Sequence, residues 1–402
     1  MAMRRTLILA FAISLFTMQI NILYAAIANP KPGADCSKIG TSQVYKGLKF
    51  TCTKSGKKLI WNKGVPVKFG ESCSKKDQTI LIGGKAAMCT SMNGKLTWQI
   101  DTYQKLLGAW QDTLAYKNAQ PLPNAALDVR YSPLVNRKIA DAILASLKSS
   151  SQFWQSQFLP TKPFPTLFFT EKDKSWFGAQ MAKLGLAPKC IDQQLDQFDQ
   201  EIARNGENAN GAGYAGCDDV TFFDFYIGTG RKDIGTNELK VGAHEYTHSG
   251  QFGALTNEGG EFAPCWFIEG GAEFYGITLS ALKDSDVYKM RQEHVWEPYM
   301  FNFKGLALLD PNSVESFIEE NGVNYNHQVC GPNGAYPVGA IATEYLFLQQ
   351  GQTGILKFME DIKINHDFKS SIQKIYGISW EQMKKEMADY IRLVIAQTPK
   401  PN

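Results

Sequence analysis

The pattern of apolar and polar positions divides the chain into a β-like N-terminal part and a mainly helical remainder. Residues 29–100 alternate short β-prone runs with Gly- and Lys-rich turns, which is typical of small β-hairpins. From DTYQKLLGAWQDTLAYKN at 101–118 onward, apolar residues recur mostly at helical spacing, as they do over 133–159. FPTLFF at 164–169 and VTFFDFYI at 220–227 predict strands, and NGENANGAGYAG predicts a loop between them. The pattern therefore predicts an α+β fold with a small β-sheet.

The first residues have the pattern of an export signal. Two arginines precede an apolar run, which ends at Ala26-Ile27-Ala28, a small-x-small cleavage pattern. We predict a signal peptide over 1–28 that is cleaved after Ala28, and hence a secreted or cell-surface protein. An uncleaved anchor is the alternative, because residues 7–25 are nearly long enough to span a bilayer, although Gln19 and Asn21 weaken it. No later segment predicts a membrane span.

A tandem repeat occupies residues 29–100. CSKIGTSQVYKGLKFTCTKSGKKLIW and CSKKDQTILIGGKAAMCTSMNGKLTW share the same Cys, Cys and Trp positions at a period of 37 residues. So short a segment cannot bury a large core, so we predict two β-modules, over 29–64 and 65–100, each closed by its own disulfide. The predicted pairs are Cys36–Cys52 and Cys73–Cys89, and crosslinks between the modules are the alternative.

Charge separates the same two parts of the chain. Residues 29–100 contain thirteen Lys, no Arg and three acidic residues, a net charge of +10, whereas 101–402 contain 27 basic and 36 acidic residues, a net charge of −9. Clustered lysines raise the local positive potential over a screening length of roughly 8 Å. The modules therefore predict either contact with an anionic cell-envelope polymer or lipid headgroup, or a solvated spacer. Export disfavours nucleic acid as a partner.

Two of the chain's five histidines lie in NELKVGAHEYTHSGQF, a helix-compatible segment at 237–252. His244 and His248 are four residues apart, so a helix places both imidazoles on one face, where they can ligate one zinc ion. Glu245 is not positioned as a ligand, and we expect it to accept a proton from the attacking water. A polar patch without a metal is the alternative for two such histidines.

The segment CWFIEGGAEFYG at 265–276 supplies the carboxylate that completes such a site. A catalytic zinc takes three protein ligands and leaves one position open, and Glu269 is the predicted third ligand. Glu273, four residues later on the same helical face, is predicted to orient a ligand imidazole, with a surface carboxylate as the alternative. A metzincin site is disfavoured, because Ala254 stands where its third histidine would be and Gln251 replaces its glycine.

HEYTH followed by WFIEGGAEF resembles the gluzincin (HExxH…E) zinc metallopeptidases, whose pattern continues from HExxH to a Trp-x-x-Glu-Gly-x-Ala helix. AYPVGAIATEYLFLQQG at 335–351 also resembles the Tyr-x-x-Gly helix start of gluzincin aminopeptidases. The resemblance implies a thermolysin-like domain of the peptidase MA type within 101–402, and it assigns oxyanion stabilisation to Tyr336. A core tyrosine is the alternative there, and His327 is the second candidate for the role. His294 and His366 are predicted to be surface histidines.

The substrate is less defined than the metal site. The Gly-x-Met-Glu-Asn stretch that gluzincin aminopeptidases use to hold a free amine is absent, which disfavours an aminopeptidase. The run at 220–227 predicts either an edge strand that pairs with an extended peptide or a core strand. Cys265–Cys330 and Cys190–Cys217 are suggested disulfides, although four cysteines allow three connectivities.

These observations predict an exported zinc peptidase with His244, His248 and Glu269 as metal ligands, and with Glu245 and Tyr336 as catalytic residues. Two alternatives remain at this point. One is a non-catalytic envelope-binding protein with a peptidase-like domain, and the other is a zinc hydrolase of a non-peptide amide or ester.

Overall fold

The computed structural model describes residues 29–120, 126–208, 210–217, 220–296, 306, 310, 312–322 and 335–401. The described residues divide into two compact units, the first formed by 29–68 and 80–84 and the second by 69–79 and the described residues from 85 to 401. The predicted signal peptide, His327 and Cys330 lie outside the described residues, as does the side chain of Cys217. Within the described part, no helix is both long and apolar enough to cross a membrane.

The fold is mixed α/β, and helices dominate the second unit, as the sequence pattern predicts. The strands are β1 (Ser42–Tyr45), β2 (Leu48–Ser55), β3 (Lys58–Trp61), β4 (Val65–Pro66), β5 (Thr79–Ile82), β6 (Lys85–Met92), β7 (Lys95–Ile100), β8 (Leu127–Tyr131), β9 (Phe164–Phe169), β10 (Asn210–Cys217) and β11 (Val220–Ile227). The described helices are α1 (Thr102–Asn118), α2 (Arg137–Phe153), α3 (Lys174–Leu184), α4 (Pro188–Asn205), α5 (Thr236–Gly260), α6 (Cys265–Ser280), α7 (Asp284–Trp296), α8 (Ser313–Glu320), α9 (Ala335–Asn365), α10 (Phe368–Tyr376) and α11 (Trp380–Gln397).

The first unit is a small antiparallel sheet. Strand β2 pairs with β1, β3 and β4, and alternate positions of β2 point inward, so that Phe50 and Cys52 pack with Trp61 in a minimal core. The disulfide Cys36–Cys52 closes the unit, which confirms the predicted pairing. Because this core is so small, the covalent link supplies much of the constraint that packing supplies in larger domains.

The second repeat belongs to the helical unit except for 80–84, which is assigned to the first unit. Strands β6 and β7 form an antiparallel pair that places Cys89 opposite Trp98, and the disulfide Cys73–Cys89 confirms the second predicted pairing. Gln397, the last residue of α11, bonds to this pair and to the start of α1. Its Oε1 accepts from the backbone N and the hydroxyl of Thr102, both at 2.8 Å, and its Nε2 donates to Thr90 Oγ1 at 2.9 Å and to Ile100 O at 2.8 Å.

The remaining sheet has the strand order β10-β11-β9-β8. Strands β9 and β11 have the bounds that the sequence predicts, and β11 lies between β10 and β9, so the core alternative for 220–227 is correct. The predicted loop at 205–216 is wrong in part, because Asn210–Cys217 forms β10, paired antiparallel with β11. Its glycines and alanines lack β propensity, and pairing with a buried neighbour overrides that deficit.

Helices α5, α6 and α9 form the centre of the second unit. Every residue of α6 is buried, so this helix has no solvent face. Gly242 and Gly250 of α5 contact α2 so closely that a Cβ would meet Ile143 O at 2.2 Å and the Trp154 ring at 2.3 Å. Close packing on both sides therefore fixes α5, the helix that carries the histidine motif.

Candidate metal centre

Helix α5 presents His244 and His248 on one face, as the four-residue spacing predicts. Both residues are buried, and their Nε2 atoms are 3.2 Å apart. Glu269 reaches the same point from α6, with its Oε2 at 3.8 Å from His244 Nε2 and 3.5 Å from His248 Nε2. These three donor atoms form a buried group that could hold a metal ion.

Two glycines bring α9 against α6 beside this group. A Cβ on Gly270 would meet the backbone of Gly339 at 2.1 Å, and a Cβ on Gly339 would meet Trp266 O at 2.1 Å. Only glycine permits this approach, which places the first turn of α9 next to Glu269. The Tyr-x-x-Gly spacing of the sequence therefore has a packing reason.

Tyr336, in that first turn, lies at the metal centre. Its ring stacks on His244 with a centroid distance of 5.8 Å and an interplanar angle of 14°, and its hydroxyl donates a hydrogen bond to the Glu269 carboxylate. The phenol is therefore positioned beside the donor group, while its role toward an oxyanion stays a prediction.

The carboxylate of Glu273 lies one helical turn beyond Glu269. Its Oε1 is 3.5 Å from His244 Nδ1, as expected for a group that orients this imidazole. Its Oε2 accepts from Lys240 Nζ at 2.7 Å and lies 3.0 Å from His294 Nε2. The prediction that His294 is a surface residue is wrong, because it is only 2% exposed in the packing of α7 on α5 and α6. His366, in contrast, is exposed.

Gln251 holds the second histidine. Its Oε1 lies 3.2 Å from His248 Nδ1, and its Nε2 donates to the carbonyls of Phe267 at 3.1 Å and Ile268 at 3.0 Å. The amide is therefore fixed by α6 and presents an acceptor to the ring. In the sequence, Gln251 is notable only as a departure from the metzincin pattern. Its three-residue spacing from His248 is the signal that could have identified this contact.

The electrostatics of the group are those of a buried ion pair between imidazole and carboxylate. Burial alone would raise the pKa of Glu269, but His248, His244 and the Tyr336 hydroxyl outweigh it and lower the pKa to about 2. Burial would lower the pKa of His248, but Glu269 and Glu245 outweigh it and raise the pKa to about 8. The interior of the site therefore favours a cation beside the Glu269 carboxylate.

Glu245 lies between the two histidines in sequence and is buried with them. Burial raises the pKa of its carboxyl, against the smaller opposing effect of His244 and His248. A carboxyl with a raised pKa is suited to take up a proton near neutral pH.

Two of the remaining four cysteines are also oxidised. Cys190 and Cys265 are each disulfide-bonded, and Cys265 begins the helix that carries Glu269. The suggested partners, Cys217 and Cys330, fall outside what the structure describes at side-chain level, so those two pairings stay predictions.

The chain was also compared with known proteins. No protein-family profile, no curated protein and no solved structure matches the chain.

Proposed function

We propose that the chain is a zinc-dependent hydrolase of peptide bonds. The observation that carries the proposal is the triangle of donor atoms from His244, His248 and Glu269, with sides of 3.2, 3.5 and 3.8 Å. Donors that bind zinc tetrahedrally at roughly 2.0 to 2.1 Å lie about 3.3 Å from one another. Two imidazoles and one carboxylate are also the donor set of a catalytic zinc with an open coordination position.

The chain's own residues have defined roles in this proposal. Bound zinc would supply Lewis acidity that activates water and polarises a carbonyl. Glu245 accepts the proton of the attacking water and returns it to the leaving amine, in keeping with its raised pKa. Tyr336 turns its hydroxyl from Glu269 toward the developing oxyanion, where a hydrogen bond is strongest in the transition state.

Membership of the gluzincin class is part of the proposal. It is supported by HEYTH on α5, by Glu269 on the next helix, and by Tyr336 beside both. A mainly helical unit that contains the small sheet β10-β11-β9-β8 also fits the architecture that the resemblance implies.

A peptide substrate is favoured by strand β10, the last strand in the order β10-β11-β9-β8. It runs beside α5, since Asn210 Nδ2 donates to Glu238 Oε1 at 2.8 Å. A strand at the end of a sheet can pair with an extended peptide through its backbone. Its position near the histidine helix would bring such a peptide to the metal centre.

The test is metal content together with cleavage. We expect the purified protein to bind one zinc ion and to cleave an unfolded protein substrate, followed by mass spectrometry. Glu245→Gln should keep the zinc and lose at least about 100-fold in rate, because the proton acceptor is removed. No bound zinc would overturn the proposal, and bound zinc without peptide cleavage would favour the amide or ester hydrolase or the binding protein.

We further propose that the first unit binds an anionic polymer of the cell envelope, outside the cytoplasm. Residues 29–68 contain nine Lys and a single acid, Asp35, and all nine lysines are exposed. An oxidised framework fits an exported protein, whether secreted or held at the cell surface. A surface with a large excess of positive charge attracts a polyanion, and the attraction weakens as the salt concentration rises.

Retention of the whole protein on dextran sulfate tests the binding proposal. Lys57→Gln with Lys58→Gln, at the end of the β2–β3 turn and at the first position of β3, should shift elution to lower salt. The matched control is Lys183→Gln with Lys189→Gln, two exposed lysines of the second unit that should leave elution unchanged. Equal shifts for both pairs would show that retention depends on total charge and would contradict a binding surface on the first unit.

A further inference from the structure

A second buried polar layer lies one helical turn from the metal-donor group. It consists of Lys240 on α5, Glu273 on α6 and His294 on α7, which are 4%, 2% and 2% exposed. Lysine and glutamate are rarely buried to this degree unless they are paired, so the cluster calls for a reason beyond packing.

The two layers are related by helix periodicity. Lys240 precedes His244 by four residues on α5, and Glu273 follows Glu269 by four residues on α6. Residues four apart share a helix face, so the adjacent helices present the metal donors in one layer and the Lys–Glu pair in the next. His294 joins the second layer from a third helix.

Glu273 connects the layers because its two oxygens have different partners. Oε2 accepts from Lys240 Nζ at 2.7 Å and lies 3.0 Å from His294 Nε2, while Lys240 Nζ and His294 Nε2 are 3.1 Å apart. Oε1 is 3.5 Å from Nδ1 of His244. Lys240 and His294 thus hold Oε2 of Glu273, and Oε1 is directed at His244 in the metal layer.

We propose that Lys240 and His294 are positioning residues for the metal centre, which hold Glu273 so that its Oε1 receives Nδ1–H of His244 and His244 presents Nε2 to the ion. The inference rests on the proposed zinc site. Partners in this outer position set the tautomer and orientation of a ligand imidazole, so their loss weakens metal binding. Without Lys240, the carboxylate of Glu273 loses its charge partner and is free to rotate away from His244.

Zinc affinity, measured on the whole protein by competition with a chelating dye, tests this inference. Lys240→Met should weaken zinc binding about 10- to 100-fold. His294→Leu should weaken it in the same direction, whereas His294→Gln should restore affinity close to that of the unmodified protein, since its amide still donates to Glu273.

Arg291→Met is the matched control for simple destabilisation. Arg291 also lies on α7, is 4% exposed and forms a buried ion pair with Glu344 of α9 rather than with Glu273. This variant should lower the melting temperature and leave zinc affinity unchanged. Cobalt(II) in place of zinc adds a spectroscopic signature, because the visible bands of Lys240→Met should shift while those of Arg291→Met should not.

The outcomes separate this inference from the proposed function. If the unmodified protein binds zinc and Lys240→Met binds it equally well, the positioning role is refuted and the metal site stands. If the unmodified protein binds no zinc, both fail. Should Lys240→Met not fold, the comparison of His294→Leu with His294→Gln decides, and equal affinities in that pair would overturn the inference.

Discussion

The two Cys/Trp repeats share one sequence template but differ in what surrounds them. The first forms a separate compact unit with a core of Phe50, Cys52 and Trp61, and its segment 29–68 has a net charge of +8. The second lies in the helical unit except for 80–84, and its segment 69–100 has a net charge of only +2. Lysine therefore accumulates in the repeat that forms the separate unit and is scarcer in the repeat that lies mostly in the helical unit.

Equivalent positions show the same divergence at the level of single residues. Thr53 and Thr90 each follow the second cysteine of their repeat. Thr53 is exposed, whereas Thr90 is 1% exposed and accepts a hydrogen bond from Gln397 at 2.9 Å. A common spacing of cysteines thus specifies the hairpin and its disulfide, while the other residues of each repeat decide whether the hairpin stands alone or joins a larger core.

Opening each disulfide in turn should give the largest contrast between the repeats. Both bridges join residues 16 apart, and closing a loop of this size is worth about 3 kcal/mol. Cys73→Ala with Cys89→Ala should destabilise the helical unit and reduce the hydrogen-exchange protection of α11. Cys36→Ala with Cys52→Ala should expose only the backbone of the first unit, β1 to β4 and 80–84. If both double variants reduced the hydrogen-exchange protection of α11 equally, the division into two units would be contradicted.

Removing Gln397 should have the next largest effect. Gln397→Leu deletes four hydrogen bonds and leaves buried groups of Thr90 and Thr102 without them, so we expect unfolding to become easier by about 2 kcal/mol. Gln382→Leu is the control on the same helix, because its exposed side chain bonds only to Glu386 within the described contacts. Urea unfolding that gives equal midpoints for the two variants would show that Gln397 does not attach the second repeat.

The sequence predicted the features that depend on local spacing. The two disulfides follow from the repeat, β9 and β11 follow from dense aromatic and β-branched runs, and the His244 and His248 face follows from helix periodicity. The proximity of Glu269 to both histidines was predicted from the metal's need for a third ligand rather than from spacing.

The features that the sequence missed depend on tertiary packing. Strand β10 consists largely of glycine and alanine, so its pairing is set by β11 rather than by its own propensity. Lys240 and His294 come together only because α7 packs against α5 and α6, and 54 residues separate them in the chain. A lone histidine in a polar helix gives no signal of such a partner, which is why His294 was assigned to the surface.

Replacing the equivalent threonines Thr53 and Thr90 should give the smallest difference in stability between the two repeats. Thr90→Val removes the acceptor that Gln397 Nε2 uses in a buried site, so unfolding should become easier by about 1 kcal/mol. Thr53→Val removes only an exposed bond of 3.4 Å to Ile60 O, and its effect should stay within about 0.5 kcal/mol. Thr90→Val in the Gln397→Leu background should cost less than it does alone, because the two residues share one hydrogen bond. Additive changes in urea midpoints would show that Thr90 is merely buried, and that its contact with Gln397 does not account for the difference between the repeats.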